Sequence, residues 1–352
     1  MTPNAAFKLT STSVARRAAV RYAESCRAPL VSAAQLVPLG RITSTAPLMN
    51  RRHLLAMLAS HPLSSLSETG ASRLVGPLSL PDTEVHSIPD PMSGRAYEAW
   101  IDVPKSYANS NRQLPAVYVT DAPYAFPLIR SIRARVGQSG KNLEDFILVG
   151  LAPPPSEASS VARLRDYTPT DPRPRARSKD DYAGDAYGNA PAYLDYIASV
   201  AFPYIESKFR INSSRRTYIG HSYGGLLGAF ALVTRPEIAS TYVLSSPSLW
   251  FDQGIIFDLE QQQSRHTRDI AARILMYCGA FETIKPGPRY FKTEDLVRDM
   301  NKFSSQLRMR RYASLRVSAQ TIDKEDHFTV FPTVVTRSLL RTHPGTGPYV
   351  SG

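Results

Sequence analysis

Apolar residues follow two alternating rhythms from about residue 81 onward. Arg95 to Val103 places Tyr97, Ala99, Ile101 and Val103 on one face, the period-two pattern of a strand with one wet side. Pro115 to Thr120 and Phe146 to Leu151 are short, nearly continuous apolar runs, as strands buried on both faces are. Further strand-like runs lie at Thr217 to Ile219, Thr241 to Leu244, Ile274 to Cys278 and Leu315 to Ile322. Between them, Tyr193, Leu194, Ile197, Val200, Ala201, Tyr204 and Ile205 recur at helical spacing, as do Leu296, Met300, Phe303 and Leu307. Strands alternating with helices predict an α/β fold with a mainly parallel central sheet flanked by helices, the alternating early strand being an antiparallel edge. The segment 153–190 fits neither rhythm; it is rich in proline, arginine and aspartate and follows a predicted strand, so it reads as a functional loop on the substrate-entry face.

Composition narrows this picture. With 352 residues and 43% hydrophobic content, the chain can bury a large core, which excludes intrinsic disorder. No apolar run approaches the roughly 20 residues that cross a bilayer, so the chain reads as soluble, without a membrane span. The net charge is +12, but residues 1–80 hold nine Lys or Arg against two acids, a surplus of +7 outside the periodic region. Charge therefore does not argue for a nucleic-acid partner. That leader is rich in Ser, Ala and Arg and reads as a targeting or disordered extension, 81–345 as a single catalytic domain, and 346–352 as a tail. Arg51 and Arg52 precede the apolar Leu54 to Ala59, as in a twin-arginine export signal starting at Met49. The chain is placed in the cytoplasm, with periplasmic export as the alternative. Cys26 and Cys278 lack the neighbours of a disulfide framework or a zinc site.

The sharpest chemical feature is Gly220-His221-Ser222-Tyr223-Gly224-Gly225, between the strand ending at Ile219 and an apolar helix. Glycines around a serine at a strand-to-helix turn make a nucleophile elbow, which lifts the hydroxyl above the sheet edge. A serine hydroxyl needs a base, and the base a carboxylate, in the chain order Ser, acid, His. Of seven histidines, only His327 follows both the elbow and a predicted strand. For the acid, Glu282 sits in the loop leaving Ile274 to Cys278, with Asp252, Glu325 and Asp326 as rivals. The triad expected is Ser222, Glu282 and His327, with the backbone amide of Tyr223 as one oxyanion donor.

Together with Asp166-Tyr167-Thr168-Pro169, Ser245-Ser246-Pro247-Ser248-Leu249-Trp250, Gly279 to Glu282 and Glu325-Asp326-His327, the elbow resembles the putative-esterase branch of the α/β-hydrolases. That branch contains enterochelin (enterobactin) esterases and siderophore trilactone hydrolases, and the resemblance spans about residues 95–342. It implies an α/β-hydrolase fold and a serine esterase acting through an acyl-serine intermediate on a small-molecule ester, with a ferric siderophore as candidate substrate and no metal or organic cofactor. It also implies a second oxyanion amide at Ala122 and substrate contacts from Arg163 and Trp250. The chain departs from the branch in reading Thr120-Asp121-Ala122 where Leu-Asp-Gly is usual, and Trp250-Phe251 where Trp-Trp is usual. A broad small-ester carboxylesterase, an acyltransferase and a non-catalytic binding protein on the same fold remain the alternative readings.

Overall fold

A computed structural model of the chain describes residues 79–176 and 186–347. The leader expectations, the twin arginine included, fall outside them. Eight strands, β1 (Thr83–Pro89), β2 (Ala96–Asp102), β3 (Leu114–Val119), β4 (Ile147–Ala152), β5 (Ile211–His221), β6 (Thr241–Ser245), β7 (Arg273–Gly279) and β8 (Arg316–Ile322), form one sheet in the order β1-β2-β4-β3-β5-β6-β7-β8. From β4 to β8 every pairing is parallel, whereas β1 and β2 join antiparallel. The arrangement is an α/β fold, and its parallel strands send all their carboxyl ends to one edge. β3 and β4 are buried along their whole length, which explains their continuous apolar runs.

The flanking helices are α1 (Ala122–Gly137), α2 (Ser159–Tyr167), α3 (Ala190–Tyr196), α4 (Phe202–Lys208), α5 (Tyr223–Thr234), α6 (Phe251–Gln263), α7 (Leu296–Met309) and α8 (Val330–Thr342). A π-turn at Ile197–Ala201 joins α3 to α4 just before Pro203, which has no amide proton to donate. α5 is buried from Gly224 to Val233, as a helix apolar on all sides must be. α7 instead buries Leu296, Met300, Phe303 and Leu307 on one stripe, each worth roughly 1.5–3 kcal/mol when fully covered. The Asp295 carboxylate caps its first turn by accepting from the Arg298 amide at 2.9 Å. Among the described residues no helix is long and apolar enough to cross a membrane.

Two expectations need correction. β2 is not the sheet edge, because β1 pairs along it from Thr83↔Asp102 to Pro89↔Ala96. β1 escapes the period-two reading since only Ile88 of it is buried. Nor is 153–190 a loop throughout, for its first half contains α2. The buried face of that helix carries Arg165 and Asp166 as an ion pair at 2.8 Å, so the stripe that a hydrophobic pattern seeks is partly polar. Tyr97 Oη and Asn189 Nδ2 also donate to the Asp166 carboxylate, each at 3.0 Å. That satisfied network holds α2 against the sheet.

Candidate active site

β5 runs through His221 and α5 begins at Tyr223, leaving Ser222 alone at the turn with φ 57° and ψ −116°. A residue with a Cβ reaches such angles only under strain of order 1–3 kcal/mol, which its surroundings must hold. Three backbone hydrogen bonds do so: the Ser222 amide donates to Ser245 O at 2.9 Å, and the Ser248 and Leu226 amides donate to Ser222 O at 3.1 Å and 2.9 Å. The flanking glycines are required by proximity. A Cβ on Gly220 would lie 2.2 Å from the Gly224 carbonyl oxygen, and one on Gly224 would lie 2.4 Å from Thr120 Oγ1. The motif thus folds as the elbow its spacing predicts, and Ser222 is 7% exposed at the carboxyl edge of the sheet.

Glu282 and His327, 45 residues apart, meet at that edge. His327 Nδ1 lies 2.6 Å from Glu282 Oε1. The other carboxylate oxygen accepts from Ser246 Oγ at 2.6 Å and from the Gly279 amide at 2.5 Å. Glu282 is wholly buried, yet both of its oxygens are bonded. The two loops are also tied through the backbone, the Phe281 amide donating to Glu325 O at 3.0 Å. The rival acids face elsewhere: Asp326 pairs with Arg289 at 2.6 Å, Glu325 accepts from Thr333, and Asp252 accepts from Thr170. The His327 ring stands 4.6 Å from that of His221, the residue before Ser222. Ser222 Oγ itself bonds Ser248 Oγ at 3.3 Å and makes no hydrogen bond to His327. Nucleophile–base bonds are often loose until substrate arrives.

The turn after β3 abuts the elbow through Thr120 and Gly224. Asp121 is left-handed at φ 56°, and Ala122 opens α1 fully buried. Arg163 is engaged by groups of the protein itself. Its Nε donates to Asp121 Oδ1 at 2.8 Å and its Nη2 to the His221 carbonyl at 3.2 Å, with the guanidinium 5.3 Å from the centre of the Tyr223 ring. Because α2 is a helix, the side chain drops onto the two turns that bear Ala122 and Ser222. Trp250 lies 6.2 Å from Tyr223, ring to ring, and lines a cleft of about 580 Å³ with Arg175, Arg298 and Lys302 as cations and Asp252, Glu294 and Asp299 as anions.

Burial, reinforced by the neighbouring His327 ring and the Arg163 guanidinium, holds the His221 imidazole well below its usual pKa, so it stays neutral. Its Nδ1 is 3.1 Å from Ser245 Oγ. Sequence reasoning did not assign roles to Ser246 and Ser248, which bond Glu282 and Ser222. The signal was present, since Ser246 directly follows β6 at the edge where the elbow stands and adopts φ 44° there, with Ser248 two residues on.

Comparison with known proteins bears on family and fold. The family model described as "Putative esterase" matches residues 91–283. The ferri-bacillibactin esterase BesA of Bacillus subtilis is 27% identical over 77% of this chain and 93% of its own length. The siderophore triacetylfusarinine C esterase of Aspergillus fumigatus is 31% identical, over 40% of this chain and 46% of that protein. Among solved structures, an IroE-like serine hydrolase from Shewanella oneidensis superposes with a TM-score of 0.63 at 24% identity, covering 74% of this chain and 79% of its own. The siderophore hydrolase EstB from Aspergillus nidulans gives 0.64 at 22% identity, over 76% and 98% respectively. These two structural likenesses bear on the fold.

Proposed function

Because the chain belongs to the putative esterase family, we propose that it hydrolyses siderophore esters through Ser222, His327 and Glu282. Ser222 Oγ attacks the ester carbonyl carbon while His327 Nε2 takes its proton. The imidazolium so formed donates from Nδ1 to Glu282, 2.6 Å away. A neutral His221 beside it adds no repulsion. Backbone amides of Tyr223 and Ala122 hold the oxyanion, and the tetrahedral adduct collapses as His327 returns the proton to the leaving alcohol oxygen. Water, activated by the same imidazole, then attacks the acyl-serine and releases the acid and free Ser222.

The observation that carries this reading is the buried Glu282 carboxylate, bonded to His327 and locked by two further donors beside a strained serine. The substrate class rests on the relatives: the Bacillus esterase aligned over most of both chains acts on a ferri-siderophore by name. The cleft at Trp250, with an aromatic wall and mixed charge, suits a bulky ligand bearing oxygen donors. Two measurements test the proposal. Ser222→Ala should lower kcat on a p-nitrophenyl ester by roughly three orders of magnitude or more and abolish fluorophosphonate labelling without changing the fold; an active variant would overturn the assignment of the nucleophile. Comparison of kcat/KM for a triscatecholate trilactone and a short p-nitrophenyl ester should favour the trilactone. The reverse preference would remove the siderophore and leave a general small-ester hydrolase.

A further inference from the structure

The opposite end of the sheet holds a second concentration of charge. Arg273, Arg308, Arg311, Arg316 and Arg341 line a surface pocket of about 550 Å³. Arg273 and Arg316 open β7 and β8 and are register partners, so their side chains stand side by side on one face. Glu282 and His327 follow the other ends of the same strands, roughly 20 Å away at ~3.3 Å per residue. Arg308 and Arg311 sit three residues apart where α7 ends.

Like charges opposed on a sheet repel. Here one such pair, Arg273 and Arg316, converges with Arg308 in the last turn of α7, Arg311 just beyond that helix and Arg341, and among the described residues none of the five is ion-paired with a carboxylate. Arg310, their neighbour, shows the ordinary alternative by pairing with Glu260 at 2.7 Å. Three of the arms are held by neutral acceptors instead: Arg308 by Val317 O at 3.1 Å, Arg316 by Ala313 O at 2.7 Å, Arg341 by Ser318 Oγ at 2.9 Å. Each of these bonds uses one terminal nitrogen and leaves the rest of the fork for a ligand. Leu275, Leu307 and Leu315 form a buried floor, and a low-dielectric wall focuses the field of the charges above it.

We propose that this pocket binds a polyphosphoryl anion, the chain of linked phosphoryl groups found in nucleoside triphosphates and in inorganic polyphosphate. Guanidinium forks match phosphoryl oxygens two at a time, and linked phosphoryl groups answer several forks at once, where a single carboxylate would answer one. The site is separate from the catalytic edge and does not depend on which ester is cleaved there.

Isothermal titration of the full chain with sodium tripolyphosphate, ATP and orthophosphate tests this. Tripolyphosphate should bind saturably with one site and at least about tenfold more tightly than orthophosphate. ATP binding more tightly than tripolyphosphate assigns the site to nucleotides, and equal or weaker binding assigns it to the inorganic chain. The double substitution Arg273→Gln with Arg316→Gln should weaken tripolyphosphate about tenfold or more and leave ester hydrolysis unchanged. Removing two exposed arginines elsewhere, Arg135→Gln with Arg268→Gln, should alter affinity less than about twofold. Relief of repulsion should keep the thermal midpoint of the first double variant at or above that of the parent. No saturable binding, equal losses in both double variants, a lowered midpoint, or displacement of tripolyphosphate by a single-stranded oligonucleotide at lower concentration would each overturn the proposal.

Discussion

Replacing Glu282 by Gln changes one atom and inverts a hydrogen-bonding pattern. The Oε2 position accepts from the Gly279 amide at 2.5 Å and from Ser246 Oγ at 2.6 Å. A hydroxyl can turn to accept, but a backbone amide can only donate. The glutamine oxygen is therefore forced to that position, and its NH2 faces His327 Nδ1. Nδ1 must then accept, which moves the imidazole proton to Nε2 and leaves no lone pair there for the Ser222 proton. Enforcing the wrong tautomer should cost about 10³–10⁴ in kcat, or ~4–5.5 kcal/mol of transition-state stabilisation. Steady-state hydrolysis of a p-nitrophenyl ester measures it, with near-ultraviolet circular dichroism confirming an unchanged fold. A correctly folded Glu282→Gln enzyme that loses less than about tenfold would show that the carboxylate does not select the tautomer.

If Arg163 serves the proposed mechanism by holding Asp121 and the His221 carbonyl together, Arg163→Lys, which cannot do so, should lower kcat about tenfold on a neutral ester with KM changed less than about threefold. A KM increase confined to anionic esters would instead mark a direct substrate contact. Burial pushes the His343 imidazole down to about 4. Between that value and its unfolded pKa near 6.5 the unfolded chain binds the extra proton, so stability is present above pH 6.5 and is lost on acidification, by on the order of 3 kcal/mol at pH 4. Urea midpoints from pH 7 to pH 4.5 should fall less steeply for His343→Gln, and an unchanged slope would refute the assignment.

The legibility of the fold followed burial. β3 and β4 announce themselves because both faces are covered, and α7 because Leu296, Met300, Phe303 and Leu307 keep helical spacing on its buried face. β1 was silent because an edge strand with one buried residue needs no apolar rhythm. α2 was silent because Arg165 and Asp166 neutralise each other inside the protein, a pairing that hydrophobicity does not register. At the candidate site, the Gly spacing and chain order carried Ser222, His327 and Glu282. Separating Glu282 from Asp326 and Glu325 required through-space partners, Arg289 and Thr333. Arg163 illustrates the converse: its residue type suggested an anion contact, but only the helical setting reveals that Asp121 already occupies it.

The unfavourable backbone angles of Ser222 bear on how the protein ages. A sheet buried along its centre melts cooperatively, but the elbow stays bent through three backbone hydrogen bonds, to Ser245 and from Ser248 and Leu226. With 1–3 kcal/mol stored at the turn, those clasps can open, and the serine relax to ordinary angles, at a temperature or denaturant concentration where the strands still hold. Catalytic competence and foldedness are then different thresholds, the first reached sooner. A chain that has drifted past the first would keep its ellipticity and its size in solution while no longer turning over ester, so the working lifetime of the molecule is set by a single turn rather than by its core.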